Sequence, residues 1–119
     1  LVTTQKVTER AQAISVRTAQ FDQLMAGYKA LGEAALSLNR DAAEILRQKK
    51  ELGGGSTAGL ADEIKGLVDK LSAVAQIAQG LTETARGEDF EEIARQADSV
   101  RQQLTAARTK LSLTLGAPS

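Results

Sequence analysis

Cysteine and histidine are both missing from this 119-residue chain. Without cysteine there are no disulfides and no thiolate metal sites, and the redox compartment leaves no mark on the sequence. Without histidine there is no imidazole base and no phosphoacceptor for a phosphotransfer bundle. Zinc sites built from His and Cys are excluded with them, as is the Glu-x-x-His pairing of di-iron bundles. Tryptophan is absent too, and Phe21, Tyr28 and Phe90 are the only aromatic residues. The one proline is Pro118, so none interrupts residues 1–117. No apolar run approaches the ~20 residues that span a bilayer, and no signal-peptide pattern is present. Membrane insertion by this segment is therefore not expected. The chain begins at Leu1 without methionine, which reads as a processed or excised segment.

Charge of one sign is also lacking. The formal net charge is zero, from 15 basic and 15 acidic side chains. No segment is basic enough to hold a phosphate backbone, so nucleic acid is not an expected partner. Arg47, Lys49 and Lys50 gather where a first helix would end and suit the negative end of its dipole. The remaining catalytic inventory is carboxylates, lysines, hydroxyls and one tyrosine. A carboxylate pair needs a cleft that raises one pKa before it can do acid–base work. The acids at 88–92 sit at an expected turn, where they read as solvated capping residues, and they lack the alternating oxygen ligands of a calcium loop. Gly53–Gly55 precedes a helix but has neither the lysine nor the spacing of a nucleotide loop. The chain is expected to be no enzyme and to carry no cofactor or metal.

What the sequence does have is heptad patterning. Apolar or small residues recur at Val7, Ala11, Ile14, Thr18, Phe21, Met25 and Tyr28, then at Leu31, Ala35, Leu38, Ala42, Ile45 and Leu52. This predicts one helix over residues 1–52, roughly 75–80 Å long. Gly53-Gly54-Gly55-Ser56-Thr57 cannot hold a helix. It is read as a loop between antiparallel helices, in preference to an artificial joint, with Ser56 or Thr57 capping the second helix. That second helix, about 58–86, has the seam Leu60, Ile64, Leu67, Leu71, Val74, Ala78, Leu81, Ala85, widened by Val68 and Ile77. A third, about 89–115, has Phe90, Ile93, Ala97, Val100, Leu104, Ala107 and Leu111.

The second and third seams do not join in one register, and the slip falls at Gly87. A turn is predicted at 86–89, with Gly87 left-handed at the helix end and Asp89 capping the third helix through Glu92. The expected fold is all-α: one long helix plus a shorter hairpin in a single domain, residues 1–115, with a tail at 116–119. A rival reading turns the chain near Gly27 and makes four helices of similar length. The pattern Asp98-Ser99, Gln102-Gln103, Ala106-Ala107 is similar to the methylation helices of chemoreceptors, with Asp98 where that pattern has a small residue. Ten residues of an alanine-rich helix carry no family assignment.

The expected function is a non-enzymatic protein–protein interaction or oligomerisation module. Its long helix outreaches its hairpin, so the uncovered seam at Val7, Ile14, Phe21, Met25 and Tyr28 pairs with a second copy, as a dimer, or with a partner helix. An alternative is a ligand-sensing four-helix domain cut from a membrane receptor, with Arg17, Arg40 or Arg47 meeting an anionic ligand. A helical secretion or assembly chaperone is a further alternative with the leading architecture.

Overall fold

The computed structural model describes residues 2–52 and 58–116, which form three helices: α1 Val2–Leu52, α2 Ala58–Gly87 and α3 Glu91–Gly116. The loop at 53–57, with the expected Ser56 or Thr57 cap, lies outside the described residues, as does the end of the tail. The helices run up, down and up, so α1 is parallel to α3. Arg17 of α1 meets the α2–α3 turn, and Lys49, near the other end of α1, donates to the Thr114 carbonyl of α3 at 3.0 Å. The molecule is a rod of 80 × 18 × 17 Å.

The seams of α2 and α3 meet as their spacing requires. Ile64, Leu67, Leu71, Ala78 and Ala85 of α2 are buried, and so are Ile93, Ala97, Leu104 and Leu111 of α3. Leu71, Leu104 and Leu111 have no solvent exposure. Alanine at positions 78, 85, 94 and 97 lets the pair approach closely, and α2 and α3 contact each other more extensively than either contacts α1. The long helix lies along their groove through Leu24, Leu31, Ala35, Leu38, Ala42 and Ile45. Thr82 is the buried polar residue of the core, and its hydroxyl donates to the Ala78 carbonyl at 2.8 Å. Ile77, read as widening the α2 stripe, is instead 62% exposed. It lies one position off the buried row Leu71, Ala78, Ala85, and none of the described residues buries it.

Two glycines decide the topology. α1 runs unbroken through Gly27, so the four-helix rival does not form. A Cβ at Gly27 would lie 3.5 Å from Leu81 Cδ1, which shows how closely α2 crosses there. The turn falls where the register slips, but Gly87 is not its left-handed residue. Gly87 is still helical, and Asp89 takes the positive φ of 63°. The Phe90 amide donates to the Ala85 carbonyl at 2.8 Å and the Asp89 amide to the Arg86 carbonyl at 3.1 Å. Those two bonds make a Schellman ending with Asp89 as the left-handed residue and Phe90 beyond it. Aspartate tolerates that conformation better than most L-residues. With Asp89 spent on ending α2, the expected Asp89–Glu92 capping pair does not form. The Phe90 carbonyl accepts the first bond of α3, from Ala94 at 3.0 Å, and Glu92 pairs with Arg95.

Candidate interaction surface

The hairpin tip reaches α1 at Arg17. The Arg17 guanidinium lies over the Phe90 ring, 4.0 Å from its centroid, and donates to the Glu88 carbonyl and, at 3.3 Å, to that of Asp89. Phe21, one turn further on, packs against the same ring with centroids 5.7 Å apart and planes inclined at 56°. Such a tilted pair and a cation over a ring face each contribute on the order of 1 kcal/mol. The three side chains clasp the turn, at the point where Asp89 has exposed its carbonyls, to the flank of α1. Below the clasp, Leu24 joins Ala85, Ile93 and Ala94 in a small apolar cluster.

Above the clasp α1 has no neighbour among the described residues. Residues 3–16 are exposed throughout, among them Val7 at 60% and Ile14 at 66%. This arm has a composition unlike the rest of its helix. Seven of residues 2–16 are β-branched, against two of residues 17–52. β-Branched side chains lose χ1 freedom in a helix, and a lone helix of about 15 residues is marginal in water even when its sequence favours it. The arm therefore relies on propagation from the rest of α1, with little help from intrinsic preference.

The five residues expected to carry the interface divide into two groups. Val7 and Ile14 stand clear of the hairpin. Phe21, 43% exposed, touches Phe90 on one side, and Tyr28 is half-buried in the bundle, so the hairpin does reach both. The reason is length: α2 has 30 residues, about 45 Å at 1.5 Å per residue, and covers α1 down to Arg17. Met25 is 38% exposed, beside buried Leu24. The exposed apolar stripe, from the arm through the clasp, uses Ala11, Thr18 and Met25 as its second row, whereas the buried stripe uses Leu24, Leu31 and Leu38. At about 100° per residue the stripe turns by roughly 50° around α1 between the two. A shallow groove of about 400 Å³ beside Ala13, Ile14, Arg17, Thr18 and Phe21 marks the upper stripe.

Sequence reasoning missed Leu24 and the part played by Arg17. Counting back one heptad from Leu31 finds Leu24, and the consecutive three-residue steps Met25–Tyr28–Leu31 betray the change of row. Arg17 is held at the turn, and Arg47 is paired with Glu44 and, at 2.5 Å, with Glu51. Those bonds from Arg47, then one from Gln48, hold the Glu44 carboxyl below its usual pKa, and the Arg47 guanidinium is pushed up in return. The Asp98 carboxyl is likewise lowered, by its 2.8 Å bond from Arg101. Each is a pair within one helix, exposed at Arg47 and half-buried at Arg101, whose charges are committed to each other.

A groove between α1 and α2 is lined by Asp41, Glu44, Glu63 and Lys70, with Ile45 and Leu67 at its floor. Among the described residues no group of three or more His, Cys, Asp or Glu is placed to hold a metal ion. None of the described helices is long and apolar enough to cross a membrane. Compared with family models, with curated proteins and with solved structures, the chain matches none.

Proposed function

We propose that this chain is a non-enzymatic helical association module that binds another helix through the N-terminal stripe of α1. The observation that carries the reading is the arm itself: Val7 and Ile14 stand 60% and 66% exposed at heptad spacing on a helical segment rich in β-branched residues. Apolar residues at heptad spacing on such a segment are stabilised by a covering helix that the hairpin does not supply. The sensor reading rests on a turn near Gly27 and on two chain ends at one end of a bundle, and the continuous α1 supports neither.

Amide exchange over residues 3–16 tests the proposal. Those amides are expected to exchange freely in dilute solution and to gain protection when the stripe is covered. Val7→Ser with Ile14→Ser should abolish the gain without lowering the melting temperature of the bundle. If the doubly substituted chain gains protection as the parent does, the stripe is not the contact surface.

A further inference from the structure

We infer that the occupant of the stripe is a second copy of this chain, laid antiparallel along the first; this rests on the association role proposed above and names its partner. Layer volumes select the antiparallel pair. The stripe reads Val7, Ala11, Ile14, Thr18, Phe21, Met25, with large residues in one row and mostly small ones in the other. Turned antiparallel on itself, it sets Val7 against the partner's Met25, Ala11 against the partner's Phe21, and Ile14 against the partner's Thr18. Every layer then couples a larger side chain with a smaller one, and all six residues are used. A parallel pair would stack phenylalanine on phenylalanine and alanine on alanine, alternately crowding and hollowing the seam.

Charge agrees with that register. Arg10 precedes Arg17 by one heptad, and Arg17 and Leu24 both turn towards the hairpin, so Arg10 lies on the hairpin side of its arm. The antiparallel register brings the partner's Arg10 level with Asp22, two residues above the Leu24–Ile93 cluster, and hence with the first turn of α3, which carries Glu91 and Glu92. The partner's arm thus becomes a fourth helix beside the hairpin tip, and its apolar row covers the open side of Phe21. The 50° turn of the stripe sets the partner's arm to one flank of the groove that the chain's own hairpin fills. An overlap from Val7 to Met25 runs about 27 Å. That places the dimer at the small end of interfaces, which bury ~1,200 Å² or more when stable, so association in the micromolar range is expected.

The chain has no cysteine, which makes crosslinking clean. Light scattering should show the mass rising from 12.6 kDa to twice that value as concentration passes through the micromolar range. Ile14→Asp should hold it at the monomer. Val7→Cys with Met25→Cys in one chain should crosslink to a covalent dimer on mild oxidation, while Val7→Cys alone should not, because two antiparallel Val7 positions are ~27 Å apart. Efficient crosslinking of Val7→Cys alone would mean a parallel pair and overturn the inference. So would a dimer that survives Ile14→Asp. A chain that stays monomeric to hundreds of micromolar also overturns it. In that event, freely exchanging arm amides would leave the association role standing with a different protein as occupant. Protected arm amides in a monomer would remove both.

Discussion

The two ends of α1 obey the same heptad rule and meet opposite fates. From Arg17 to Leu52 the helix contains few β-branched residues and buries a leucine-rich row against two neighbours. From Thr3 to Val16 it is rich in β-branched residues and is exposed throughout. The difference teaches that heptad spacing specifies a face, while composition tells whether that face can wait uncovered. In the lower half intrinsic preference and packing agree. In the arm, preference favours the helix less, and packing against the other described residues adds nothing to it.

The comparison breaks most visibly under substitution of the core. Leu71→Ala with Leu104→Ala removes two side chains of zero exposure and should cost about 2–5 kcal/mol each, enough to abolish cooperative thermal unfolding. Val7→Ser with Ile14→Ser should leave dilute-solution melting within about 0.5 kcal/mol of the parent. Equal damage from the two pairs would make the arm part of the monomer core.

The boundary between the regions is the clasp. Phe21→Ala should destabilise by roughly 1–2 kcal/mol through the lost ring contact and packing, and a double-mutant cycle with Phe90→Ala should return a coupling of about 0.5–1.5 kcal/mol. Arg17→Ala should cost less, on the order of 1 kcal/mol. A coupling indistinguishable from zero on chemical denaturation would mean that the arm begins lower, near Leu24.

At the turn the sign of the effect is the test. Gly87 is helical and a Cβ there meets nothing within 4 Å, so Gly87→Ala should stabilise by up to about 1 kcal/mol. A clear drop in melting temperature would return the left-handed conformation to Gly87 and take it from Asp89. The smallest effect is that of pH. Glu44 and Asp98 are depressed in the folded state by Arg47 and Arg101, so their contribution is present above the ordinary carboxylate range and is lost as pH falls through it. Glu44 is exposed and Asp98 half-buried, and the expected result is a slight fall in melting temperature on acidification, abolished by Glu44→Gln with Asp98→Asn.

Much of the fold was legible from spacing alone. The seams of α2 and α3, the end of α1 at Leu52 and the position of the turn all follow from where apolar residues recur and where their register slips. What was not legible depended on three-dimensional choices that spacing leaves open. Leu24 and Met25 both continue a heptad from Phe21, and only the position of the hairpin selects Leu24. Gly87 and Asp89 can each end a helix left-handed, and the two bonds donated from Phe90 and Asp89 favour the later residue. Arg17 reads as a solvated cation until Phe90 is brought beside it from 73 residues along the chain.

The odd number of helices has a mechanical consequence. α1 and α3 run parallel, so Val2 and Gly116 lie at opposite ends of an 80 Å rod. Tension applied between them is directed along the helix axes and must slide α1 past the hairpin, shearing the whole leucine row at once. A hairpin pulled from its two adjacent ends would instead unzip one layer at a time. In a force experiment the bundle should therefore resist as a single unit, yielding in one step after the arm has already lengthened, and the Arg17–Phe90 clasp is the first part of it to feel the pull.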